Sequence, residues 1–113
     1  SEVMNIIGEV KGFSCVMVDD IVDTAGTLVS AAEALLAAGA KEVAAYVAHG
    51  VLSGPAVSRI EKSGLVSLVV TDSIAASAAV NASKKIRVAP IAPLMGEAIK
   101  RISLETSVSS LFD

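Results

Sequence analysis

Residues 16–27 read Val16-Met17-Val18-Asp19-Asp20-Ile21-Val22-Asp23-Thr24-Ala25-Gly26-Thr27. Together with Phe13, Ser14 and Cys15 before them, the first three make a short apolar run of strand formers, and a buried strand is expected over 13–18. Two carboxylates follow at once, so the strand is expected to break across 19–23. Past Thr27, Leu28, Ala31, Ala32, Leu35 and Leu36 recur at helical spacing, and Gly39 stands where a helix-ending residue belongs. The stretch therefore reads as a strand, an acidic loop and a helix that begins near Gly26.

The same alternation continues outward. Val43 to Ala48 is a second apolar run, followed by His49-Gly50 and a turn at Gly54-Pro55. Ala56 to Lys62 reads as a short helix ending before Gly64. Leu68 to Thr71 and Ile86 to Ala89 read as two further strands, the second entered through Lys84-Lys85. Pro93 opens a closing helix to Ser103, a favoured position for a residue that has no N–H to leave unpaired. Residues 75–83 are small and bland, the tail from Leu104 is Ser-rich, and residues 1–12 form an entry segment with turns at Gly8 and Gly12. Apolar strands alternating with helices predict an α/β fold: a mostly parallel sheet with helices on both faces and right-handed crossovers, in one domain over 1–113. Ligands of such sheets bind beyond the carboxyl ends of the strands. That rim carries Asp19, Asp20, His49 and Asp72.

Composition narrows the function classes. With 53% hydrophobic and 19% charged residues, the chain has too much apolar surface and too little charge to stay disordered. Its 19 Ala and 16 Val, against only three aromatics, suit helices packed closely on a sheet. The net charge is −3 and no basic run exceeds Lys84-Lys85, which argues against a nucleic-acid partner. Cys15 is the only cysteine, so neither a disulfide framework nor a cysteine metal site can form within one chain. The longest uncharged stretch, Val43 to Ser58, is interrupted by His49, Gly50, Gly54 and Pro55, so no membrane segment is expected. With no secretory pattern at the N-terminus, a cytoplasmic location is expected. The chain opens on Ser1 rather than Met and is expected to be a fragment or a processed product.

Each part of the 19–27 segment has a chemical use. The first turn of a helix offers unpaired N–H groups at the positive end of the dipole, and an anion can rest there. Gly26 lets the backbone approach that anion, and the hydroxyls of Thr24 and Thr27 can donate to it. Asp19 and Asp20 would repel a phosphate placed on top of them. They suit hydroxyls of a sugar diol or a hydrated Mg²⁺, because carboxylates accept hydrogen bonds and hard cations take oxygen ligands. The segment reads as a ribose-phosphate cradle. An ordinary strand-to-helix turn with Asp23 or Thr24 as its cap is the simpler alternative.

Four apolar positions, two acids and a phosphate loop resemble the phosphoribosyl-diphosphate signature of the type I phosphoribosyltransferase fold. Further segments narrow the likeness: Ala48-His49-Gly50-Val51-Leu52-Ser53-Gly54-Pro55-Ala56, Val69-Val70-Thr71-Asp72-Ser73-Ile74, Glu97-Ala98-Ile99-Lys100-Arg101-Ile102, and the tail from Glu105 to Phe112. In this order they resemble the C-terminal domain of the ribose-phosphate pyrophosphokinase family. Ala48 stands where the family commonly has Thr, and Ala75 where it commonly has Pro.

The resemblance implies transfer of diphosphate from ATP to the 1-hydroxyl of ribose 5-phosphate, with Mg²⁺ as cofactor, in a homo-oligomer serving nucleotide biosynthesis. It implies that Asp23, Thr24, Ala25, Gly26 and Thr27 bind the 5-phosphate, and that Asp19 and Asp20 face the ribose and its Mg²⁺ indirectly, through hydroxyls or water. It also implies a regulatory phosphate site near Ser107, Val108, Ser109 and Phe112. The half that supplies most ATP contacts, and a loop with a catalytic Lys and Arg, would lie upstream. No catalytic residue is therefore expected within 1–113, and the 113 residues alone should not turn over. The alternatives are a phosphoribosyltransferase, which shares the cradle, and a non-catalytic phosphoribosyl-binding homologue.

Overall fold

The computed structural model describes residues 8–112. The chain alternates β1 (Ser14–Val22), α1 (Gly26–Ala37), β2 (Glu42–Gly50), α2 (Ala56–Lys62), β3 (Leu65–Thr71), α3 (Ala78–Ala82), β4 (Ile86–Ala89) and α4 (Ala92–Ser103), and a 3₁₀ turn spans Ser109–Phe112. The four strands form one sheet in the order β1-β2-β3-β4, with every pair parallel. The expected parallel α/β arrangement is thus present, with β1 at one edge.

The sheet is held by apolar side chains aligned across the ladder. Met17, Ala45 and Leu68 stand in register, and Leu68 in turn pairs with Ile86. On this face Ala32 of α1, Ala56 and Ile60 of α2 and Val80 of α3 join Val43, Ala45, Val47, Leu68 and Val70 in one buried cluster. Alanines at 31, 32, 45 and 56 let the helices lie close to the strands. The alternate strand positions behave differently. Val16, Val18 and Tyr46 are at least half exposed, with Val18 at 80%, so the face they occupy is open over β1 and β2. Cover on both faces, expected from the apolar strands, is therefore not seen over that region among the described residues. Helix α4 buries none of its residues, and its Ile99 and Ile102 face solvent.

Three element boundaries depart from the sequence expectation. β1 does not break at Asp19 but continues through both aspartates to Val22, because Ile21 and Val22 pair with His49 and Gly50 of β2. The backbone ladder carries the strand onward, and the two carboxylates cost little because both are exposed. β3 begins earlier than expected, at Leu65, and a short helix, α3, replaces part of the bland 75–83 segment. The Ser77 hydroxyl accepts from the Val80 amide at 3.2 Å and caps that helix, while Val80 is buried beneath it.

Candidate functional site

The turn from β1 into α1 is built to leave amides free. Ala25 caps α1 in a left-handed conformation, φ 67° and ψ 6°, and no side chain bonds the cap. The first amide of α1 to find a backbone acceptor is that of Val29, which donates to the Ala25 carbonyl at 3.0 Å. The first turn holds no acidic side chain. Its N–H groups and the positive end of the dipole are therefore open to an anion. A left-handed residue just before a helix turns successive amides toward one side, which favours the same use. Ala25 itself is 4% exposed, with its methyl group in the core, while Asp23, Thr24 and Thr27 are exposed.

The turn borders a cavity of about 520 Å³, lined by Met17, Val18, Asp19, Ile21, Leu28, Ala31 and the whole segment from Val22 to Thr27. Of the expected site residues, Asp19, Asp23, Thr24, Ala25, Gly26 and Thr27 thus come together on one hollow. Asp20 does not line it. Its amide instead donates to the Asp19 carboxylate at 2.8 Å, which fixes the orientation of Asp19. Among the described residues no three His, Cys, Asp or Glu side chains gather as a metal cage. The donor set fits an ion that keeps most of its own waters, as Mg²⁺ does, and does not fit a cation held by the protein alone.

Asp23 takes a part that the sequence did not reveal. Its carboxylate accepts from the Ser53 hydroxyl, and its carbonyl accepts from the Ser53 amide at 3.1 Å. Val51 and Leu52 donate to the Val22 carbonyl at 2.9 and 3.3 Å. The loop after β2 is thereby laced to the cradle. Behind the cradle, Nη1 of Arg59 on α2 donates to the Thr24 carbonyl at 3.1 Å. Ser53 and Arg59 were both missed, since neither stands near the cradle in sequence. The one available signal for Ser53 was its place before the Gly54-Pro55 turn.

The two other rim residues are occupied elsewhere. His49 Nδ1 lies 2.7 Å from the Ser73 hydroxyl, and the Asp72 carboxylate accepts from the Ile91 amide at 2.9 Å, holding the entry to α4. Neither lines the cavity. At the tail, Arg101 bonds Glu97 at 3.1 Å and reaches the Ser107 carbonyl at 3.2 Å and the Ser110 hydroxyl at 2.5 Å. The Ser107 and Ser109 hydroxyls are 3.0 Å apart, and Val108 is half-buried. The side chain of Phe112 lies outside the described residues.

Residues 2–113 match the phosphoribosyl synthetase-associated domain. The chain belongs to that family. Among curated relatives of this family's chain, the ribose-phosphate pyrophosphokinase of Hyphomonas neptunium is 62% identical over 113 residues, and that of Bradyrhizobium diazoefficiens is 59% identical over the same length. All of the chain is covered in both, but it spans only 36% of each relative. The crystal structure of phosphoribosylpyrophosphate synthetase from Mycobacterium smegmatis superposes with a TM-score of 0.79 at 34% identity, covering 88% of this chain and 33% of that one. The phosphoribosyl synthetase-associated domain described here therefore shares its α/β fold with a synthetase of known structure. No helix among its described residues is long and apolar enough to cross a membrane.

Proposed function

We propose that this chain is the ribose 5-phosphate-binding, C-terminal domain of a ribose-phosphate pyrophosphokinase. The observation that carries the proposal is the hollow in which Asp19 and the 23–27 turn meet at the open N-terminus of α1. Its support is the 62% identity, along the whole chain, to a protein of that name. The 5-phosphate rests on the amides of Ala25, Gly26 and Thr27, with the Thr24 and Thr27 hydroxyls as further donors. Asp19 accepts from the ribose hydroxyls, and Asp20 orients Asp19 through its amide. Asp23 belongs to the phosphate loop by position, but its carboxylate is held by Ser53 and so braces the loop.

The reaction so supported forms a bond between the sugar's 1-oxygen and the β-phosphorus of ATP. The bond from that phosphorus to the α,β-bridging oxygen breaks, AMP leaves with that oxygen, and the 1-hydroxyl gives up its proton to solvent. Fixing the sugar at both ends holds the 1-hydroxyl in one place, which is how positioning lowers such a barrier. When bound beside Asp19 and Asp20 through water or the ribose hydroxyls, Mg²⁺ supplies neutralisation of phosphate charge. The Ser107–Ser109 segment, with Phe112, is the proposed regulatory phosphate site, and the parent protein is proposed to be a cytoplasmic homo-oligomer that takes ATP mainly through residues outside this chain.

The test is calorimetric titration of the full-length polypeptide with ribose 5-phosphate and with ribose. Wild-type protein should prefer the phosphorylated sugar by about a hundredfold, and Thr27→Val and Asp19→Asn should each weaken it about tenfold. Equal affinity for the two sugars, or variants that bind as wild type does, would remove the site.

A further inference from the structure

Among the described residues, Arg59 is the one cation that touches the cradle. It reaches from α2 across to a loop 35 residues earlier, and its Nη1 donates to the Thr24 carbonyl at 3.1 Å. It forms no ion pair among the described residues, so its charge is not spent on a neighbouring carboxylate. It also lies where a side chain at position 26 would be: a Cβ built on Gly26 would sit 3.3 Å from Nη1. The absence of a side chain at Gly26 therefore leaves room for the guanidinium behind the turn.

The bonded carbonyl belongs to the same peptide unit as the Ala25 N–H. A charged donor on the oxygen polarises that unit and makes its N–H a stronger donor. The same bond fixes the plane of the peptide that leads into the left-handed Ala25, a conformation that residues with a Cβ seldom adopt. Arg59 does not line the cavity, so it acts through the loop and not by touching the ligand.

We infer that Arg59 is a positioning residue of the phosphate loop, which holds the Thr24–Ala25 peptide in its anion-binding orientation and adds positive potential behind it. This rests on the reading of residues 23–27 as a 5-phosphate cradle. It makes Arg59 selective for the phosphate end of the substrate and indifferent to the sugar.

The experiment compares Arg59→Met, Arg59→Lys and Gly26→Ala in the full-length polypeptide, each titrated with ribose 5-phosphate and with ribose. Arg59→Met should weaken ribose 5-phosphate about tenfold and leave ribose unchanged, with a matching rise in KM for ribose 5-phosphate at constant kcat. Arg59→Lys, which keeps the charge but loses the planar fork, should recover part of the loss. Gly26→Ala should displace the guanidinium, and adding Arg59→Met to it should cost less than in wild type. Wild-type affinity in Arg59→Met, or equal losses for both sugars, would overturn the inference while leaving the cradle intact. Wild-type protein that does not distinguish ribose 5-phosphate from ribose would overturn the cradle and this inference together.

Discussion

Ser53 grips Asp23 twice, amide to carbonyl at 3.1 Å and hydroxyl to carboxylate, across thirty residues of sequence. The carboxylate is thereby drawn to the loop after β2, so that a negative charge beside the open amides of α1 becomes a brace for the turn. Ser53→Ala should release it. A side-chain hydrogen bond to a charged group is worth about 1.5–3 kcal/mol, and exposure places this one at the lower end. Thermal unfolding should shift down by a few degrees, and ribose 5-phosphate should bind several-fold more weakly because the freed carboxylate repels it. Unchanged affinity in a folded Ser53→Ala protein would show that Asp23 does not face the phosphate when released.

Ala25 sets two effects against each other. Replacing it by Gly relieves a left-handed alanine, worth about 1 kcal/mol, but removes a buried methyl group worth about 0.8 kcal/mol. Ala25→Gly should therefore unfold within about 0.5 kcal/mol of wild type by denaturant titration. Ala25→Val adds a β-branched side chain at positive φ inside the core and should lose about 2 kcal/mol or more.

Gly50 ends β2 against the core. A Cβ there would stand 2.8 Å from Val70 Cγ1, and Val70 is buried. Gly50→Ala should cost about 1–3 kcal/mol by overpacking. Val70→Ala in the same chain should return part of that loss, a coupling readable in a double-mutant cycle.

Glu61 offers an acid-side test. Its carboxyl is held below its ordinary value of 4.5, first by the Ser83 hydroxyl, then by the Lys85 and Lys84 amides and the Lys85 charge. A lowered folded value stabilises the protein above 4.5, and the benefit fades as pH falls through the folded value. Ser83→Ala should therefore be less stable than wild type near neutrality, with the gap narrowing as the pH falls below 4.5. The measurement is denaturant unfolding of both proteins across that range, and a gap independent of pH would contradict it.

Arg101 organises the tail. Bonds to the Ser107 carbonyl and the Ser110 hydroxyl tie the segment to α4. Arg101→Met should speed amide hydrogen exchange over 107–111 by about tenfold, with little change in the strands.

The local elements were legible from the chain itself. Short apolar runs of strand formers, helical spacing from Leu28 to Leu36, and the Asp19 to Thr27 segment fix a strand, a turn and a helix whose first amides are open, because those signals lie in neighbouring residues. The length of β1 was not legible, since it is set by pairing with His49 and Gly50 and not by its own side chains. Nor was the brace on Asp23, the guanidinium behind Thr24 or the open face at Val18. Each depends on the parallel register that carries loops thirty or more residues apart to one rim, and on which faces the helices reach. Sequence determined what chemistry the turn could hold. Only the packing of β2 and α2 against it decided which groups steady that turn and which carboxylates stay unbraced beside it.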